Sequence, residues 1–157
     1  MPSRRELIAL SADEIQQFLQ EQKTLIIVSN GKDGYPHPMP MWFYVDDAGC
    51  LYCTTFSKAQ KVFNWRRDPK AALLVESGEE YAELKSVLIY ATAEVIDDFE
   101  AICDGLVNIG AKGRTLSAEQ AQAMRSQVAK TAEKRVLLKF TPERYVSWDH
   151  AKLAGKY

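Results

Sequence analysis

The stretch PMPMWFYVDDAGCLYCTTFSKAQKVFNWRRDP, residues 38–69, constrains the fold more than any other part of the chain. It reads as strand, tight turn, strand and short helix. Residues 39–45 and 50–55 supply the strands, and Asp46-Asp47-Ala48-Gly49 the turn. Gly49 can take the positive φ that such turns use. Ser57 with Gln60 in the third position after it has the form of a capping box. The helix is therefore expected to start at Ser57, with Lys58 and Lys61 on one face. Asp68-Pro69 stops it, because a residue before proline avoids the helical region. A helix start presents unpaired N–H groups and the positive end of a dipole. Two readings stand side by side: a capped surface helix with solvated lysines, or a site for one phosphate group among hydroxyls and lysines.

The flanking segments set the fold class. TLIIVS, residues 24–29, is a continuous apolar, β-branched run and predicts a strand buried on both faces. NGKDG, residues 30–34, is a hairpin turn. YPHPMP, residues 35–40, alternates proline with other residues, which predicts an edge strand whose free backbone can serve a ligand. Further strands are expected at residues 71–76, 87–96, 135–140 and 144–148, with a turn at Thr141-Pro142 between the last two. A capping box at Ser11 opens a helix with Ile15, Phe18 and Leu19 on its core face. Residues 97–109 read as a helix, and Ser117 opens a weakly amphipathic, peripheral one. Strands at this spacing predict a mainly β (α+β) domain: an antiparallel barrel of six to seven strands with peripheral helices. One domain is expected over residues 1–157, with 97–134 a helical insertion and 149–157 a polar tail.

Several function classes are disfavoured. A formal net charge of −1 offers no bulk attraction to nucleic acid. No apolar run approaches the roughly 18 residues of a membrane helix, and the N-terminus lacks a signal-peptide core, so a cytoplasmic protein is expected. Cys50 and Cys53 have Cys-x-x-Cys spacing, but a strand sends their sulfurs to opposite faces. With no second pair, and only His37 and His150 beside them, no metal site or redox dithiol is expected. Free, buried thiols are the expectation for Cys50, Cys53 and Cys103. Dinucleotide and phosphate-loop glycine motifs, the Gly-x-Ser-x-Gly elbow and His-Glu-x-x-His are all absent.

The chain resembles the flavin/deazaflavin oxidoreductase superfamily of split β-barrels, related to pyridoxamine 5′-phosphate oxidase. The resemblance rests on GYPHPMPMWF from Gly34, LYCTT from Leu51, KVFNWRRDP from Lys61, YAELK from Tyr81, ATAEV from Ala91 and PERYVSWDH from Pro142. Their order and spacing cover most of the chain. The resemblance implies a homodimer with cofactor sites at the interface, and FMN as the cofactor, with the 8-hydroxy-5-deazaflavin cofactor as the alternative. By position, Thr54, Thr55, Ser57, Lys58 and Lys61 would hold the cofactor phosphate. Met39, Pro40, Met41 and Trp42 would line the ring system through their backbone. Trp148 and His150, in the tail, would close over the ring from the partner subunit. The vitamin-oxidising branch places an arginine where Gln60 stands and basic residues where Met41-Trp42 stands. These departures set the chain apart from the vitamin-oxidising reaction, and its Trp42-Phe43 and Ser147-Trp148-Asp149 signatures resemble those of relatives that use FMN or the deazaflavin for reductions.

The implied function is an oxidoreductase passing hydride to or from a small unsaturated or heterocyclic molecule. A non-catalytic flavin or haem binder of the same fold is the alternative. A flavin does the hydride chemistry itself, so a catalytic triad is not required, and no catalytic residue is assigned. His37 reads as an exposed loop histidine or as a proton donor beside the ring.

Overall fold

A computed structural model describes residues 1–156. Two short helices, α1 (Arg4–Ile8) and α2 (Ala12–Glu21), lead into β1 (Thr24–Asn30), β2 (Pro36–Trp42), β3 (Tyr44–Val45) and β4 (Leu51–Phe56). Helix α3 (Gln60–Arg67) follows, then β5 (Lys70–Ser77), β6 (Lys85–Ile96), α4 (Phe99–Gly110), α5 (Ala118–Ala132) and β7 (Arg135–Asp149). Single 3₁₀ turns lie at Tyr81–Glu83 and His150–Leu153. All strand pairs are antiparallel, in the order β2-β1-β5-β6-β7-β4-β3.

That order, set against the chain, dictates the shape. β2 and β3 are the two edges of a seven-stranded sheet, yet only Phe43 separates them. At about 4.8 Å per strand, a flat sheet would hold its edges roughly 29 Å apart. The sheet must therefore curl until its edges meet, and Phe43, 1% exposed, is the corner pointing into the core. The main core fills the barrel, with Leu25, Ile27, Leu73, Ile89 and Leu138 fully buried and Phe18 and Leu19 of α2 closing one end. A smaller core, Ile102, Cys103, Ala132 and Leu137, seats α4 and α5 on the outside of β7.

Local chemistry explains most boundaries. Capping boxes form at Ser11–Glu14 and Ser117–Gln120 as the sequence predicts, and another forms at Ser3–Glu6. In the hairpin turn, Asp46 Oδ1 accepts from the amides of Ala48 and Cys50 at 3.0 and 2.9 Å. Gly49 there takes φ 84°.

Four expectations change. The Ser57–Gln60 capping box does not form: α3 starts at Gln60, capped by Ala59 without a side-chain bond. The Ser57 amide instead donates to Lys134 O at 3.0 Å, extending the β4–β7 ladder past the point where a helix could start. Lys58 thus sits in an exposed turn, not on a helix face. Thr141-Pro142 is no turn either. β7 runs through it, and Glu143 bulges out where the register with β6 shifts between Tyr90 and Ala91, since a bulge tolerates proline's missing N–H. The hairpin's first strand is broken at Phe43 rather than continuous. Finally, β1 buries Leu25, Ile27 and Ser29 inward, but Ile26 and Val28 stay half-buried, because no helix of the chain covers that outer face.

Candidate functional site

The end of β4 places Thr54 and Thr55 in buried positions, 6% and 3% exposed. Lys61, in the first turn of α3, is also buried at 7%. Arg135, the first residue of β7, pairs in register with Phe56 and joins them. Its Nη1 donates weakly to Thr54 O and Oγ1 at 3.4 and 3.5 Å, and its guanidinium lies 4.5 Å over the Phe56 ring. Its Nε is the one buried side-chain nitrogen or oxygen without a partner among the described residues. Lys61 has no ion pair and no side-chain hydrogen bond among the described residues.

One cation is thus withdrawn from water and a second half withdrawn, with no carboxylate paired to either among the described residues. Burial pushes both the Lys61 ammonium and the Arg135 guanidinium below their ordinary values, and Arg135 adds to the effect on Lys61. The Cys53 thiol nearby is no counter-ion: complete burial drives its pKa far up, so it stays neutral. Uncompensated buried charge is costly, and an anion is what this cradle lacks. Thr54 and Thr55 are consecutive on β4, so their hydroxyls leave the strand on opposite faces, Thr54 beside the outer cluster and Thr55 toward the main core. Hydroxyl, ammonium and guanidinium are the donor types that a phosphate site uses.

The opposite lip of the site is the free edge of β2. Pro36, Pro38 and Pro40 stand opposite Asn30, Val28 and Ile26. Proline has no N–H, so the ladder's hydrogen-bonded pairs fall at Ser29–His37, Ile27–Met39 and Leu25–Met41. The Gly31 amide to Tyr35 O bond, 2.8 Å, is in the same phase. β2 therefore turns the carbonyls of Pro36, Pro38 and Pro40, and both backbone groups of Trp42, toward its free edge. Met39 and Met41 point their side chains at the core, while Trp42 is 68% exposed. On the other side, pairing stops at Tyr44–Tyr52. Continuing that register would set Trp42 opposite Thr54 and Pro40 opposite Phe56, but no such pairs form. The barrel is split there, between the residues read as ring-lining and those read as phosphate-binding.

The remaining sequence candidates fall in different places. Ser57 is half-buried at the end of the ladder, beside the cradle, and Lys58 is exposed. Asn64, fully buried, donates to Ser29 Oγ at 2.9 Å and ties α3 to β1. A depression of about 650 Å³ lies between α3, at Gln60 and Asn64, and the β1–β2 turn, and His37 lines it. Trp148 pairs with Ser86, about twelve positions along β7 from the cradle, on the order of 40 Å of extended strand. One chain does not bring it to the other site residues. His150 is engaged elsewhere, with Nδ1 2.7 Å from Tyr81 O.

A scan against family models matches residues 11–149 to pyridoxamine 5′-phosphate oxidase. The chain belongs to this family. Among solved structures, it is similar to the conserved hypothetical protein Rv2991 from Mycobacterium tuberculosis. Identity is 32%, over 98% of this chain and 93% of the other, with a TM-score of 0.84. The fold is shared at lower identity with an F420 reductase (18%, 83% and 94% covered, TM-score 0.61). It is also shared with an FAD-binding protein from Mesorhizobium loti (21%, 88% and 94% covered, TM-score 0.60). Among curated proteins none matches the chain. No described helix of the chain is long and apolar enough to cross a membrane.

Proposed function

We propose that this chain binds FMN and works as an oxidoreductase, passing hydride to or from a small unsaturated or heterocyclic molecule. The observation that carries the reading is the buried Lys61 beside the half-buried Arg135, without a counter-ion on one lip of the barrel split. A phosphate monoester supplies the missing charge. The Thr54 and Thr55 hydroxyls and Ser57 would complete its shell. The β2 edge, residues 39–42, would then flank the ring: carbonyls accept from an imide N–H, and the Trp42 amide is the edge's one donor along that stretch. When bound, the flavin supplies the hydride chemistry. The chain's own residues anchor its phosphate, orient its ring and keep water from one face. A homodimer would cover the half-buried Ile26 and Val28 and bring the partner's Trp148 toward the ring. Free, buried Cys50, Cys53 and Cys103 suit a reducing cytoplasm.

The second reading is a deazaflavin-dependent reductase, favoured by the fold shared with an F420 reductase. Titration of the purified chain with FMN, riboflavin and the deazaflavin, followed by visible absorbance, tests both. FMN should bind about tenfold or more tighter than riboflavin, because only FMN carries the phosphate. Equal affinities would sink the phosphate assignment. Turnover with reduced nicotinamide or reduced deazaflavin distinguishes an enzyme from a flavin or haem binder, and light scattering reports the dimer.

A further inference from the structure

A separate cavity of about 330 Å³ opens at the β2–β3 corner. Trp42 and Phe43 form one wall, and Ile109 at the end of α4 forms another. Three cations, Lys23, Lys112 and Arg114, line it, and no carboxylate does. None of the three is in an ion pair among the described residues. Asp46 and Asp47 line the depression on the far side of the Lys112–Arg114 loop, also without pairing to it.

The cations are placed, not merely present. Lys112 Nζ donates to Leu19 O at 2.8 Å and Gln22 O at 2.5 Å, at the C-terminal end of α2. It stands 3.3 Å from the centre of the Phe43 ring. Carbonyls and a ring fix where this ammonium sits but leave its charge uncompensated. Arg114 Nη2 donates to Gly110 O at 2.8 Å, which holds the guanidinium at the mouth with its other N–H groups free for a ligand. Lys23 is exposed on the facing side. The exposed face of Trp42, with Ile109 across from it and a cationic rim above, selects a flat apolar body with a negative end. The volume lies near the lower end of the roughly 300–1,000 Å³ of small-molecule sites, enough for a compact ring system.

We infer that this cavity binds a planar organic anion, an aromatic or conjugated carboxylate, with its ring against Trp42 and Ile109 and its carboxylate on Arg114 and Lys23. Trp42 belongs to both this cavity and the β2 edge proposed to flank the flavin. The cavity therefore sets the substrate class of that reaction, and to that extent the inference rests on the flavin reading. Binding itself is a property of the chain without cofactor.

The test is calorimetric titration of the full, cofactor-free chain at pH 7 with 2-naphthoate and with neutral 2-naphthylmethanol. The naphthoate should bind about tenfold or more tighter than the alcohol. The double variant Lys23→Gln, Arg114→Gln should erase that difference. Both side chains are at the surface, and a thermal melt confirms the fold. Lys61→Ala should leave naphthoate binding unchanged. The inference is overturned if the alcohol binds equally well, if the double variant keeps the preference, or if Lys61→Ala abolishes it and so relocates the anion to the cradle. A parallel FMN titration separates the two ideas. A chain that binds naphthoate but not FMN sinks the flavin reading and keeps the cavity; one that binds FMN but not naphthoate does the reverse.

Discussion

Lys61 and Lys112 are both withdrawn from solvent and both sit near Cys53, yet the protein treats them in opposite ways. Lys112 is given acceptors: two carbonyls at the end of α2 and the face of Phe43. Lys61 is given none, and its neighbour Arg135 keeps an unpartnered Nε. Internal acceptors fix where the Lys112 ammonium sits, and removing it strands two carbonyls, although burial still disfavours its charge. Lys61 is left without such acceptors, a cost to the fold that a bound anion of the kind proposed would offset. The difference sorts two lysines that look alike in the sequence, and it can be broken by experiment.

The largest effect should come from the cradle with ligand present. Lys61→Ala with Thr55→Ala should weaken FMN binding by about 3 kcal/mol or more and leave riboflavin nearly untouched, since charge-assisted bonds contribute roughly 1.5–3 kcal/mol each. Equilibrium titration checks it, and unchanged FMN affinity would place the phosphate elsewhere. Arg135→Met alone should cost about 1.5–3 kcal/mol of the same affinity. Without ligand the ranking should invert. Lys112→Met should lower unfolding free energy by about 1–3 kcal/mol, because it strands the carbonyls of Leu19 and Gln22. Lys61→Met should leave stability unchanged or raise it, because it removes an uncompensated buried charge. Urea unfolding reads both, and the opposite order would break the comparison.

Smaller effects come from titration. Burial lowers the Lys112 pKa to about 8, below the ordinary lysine value. Between those two values the unfolded chain holds a proton that the folded chain has released, so this group makes stability rise with pH across that window. The stability difference between wild type and Lys112→Met should therefore grow from about pH 8 toward the ordinary lysine value of about 10.4, and a difference flat in pH would contradict the burial. Smallest is Glu14, whose carboxyl is held at about 2 by Lys152 at 2.7 Å and by the Ser11 amide. Its depressed pKa adds stability present above the ordinary carboxylate range and lost as pH falls toward about 2. Glu14→Gln should flatten that acid limb in a pH series of thermal melts.

What the sequence made legible is what lies close together along it. The hairpin turn at Asp46–Gly49, the β2 edge and the boxes at Ser11 and Ser117 are local patterns, and each forms. Thr54, Thr55 and Lys61 are close along the chain, and each is buried in the fold. What failed depended on a distant partner. Ser57 looks like a cap, but Lys134 claims its amide and extends the strand. Pro142 looks like a turn, but the long β6 beside it carries β7 through as a bulge. Arg135 gave no signal as a site residue, because nothing in RVLLKF says that it will pair with Phe56.

The prolines of β2 have one more consequence. An unpaired strand edge ordinarily invites another strand, and a barrel that must keep a slot open is exposed to that risk throughout its life. Pro36, Pro38 and Pro40 leave that edge with almost nothing to donate, so a foreign strand laid along it would leave its own carbonyls unanswered. The slot stays open to the small molecule proposed for it, yet its edge is a poor template for the sheet-by-sheet growth that turns an open edge into an aggregate.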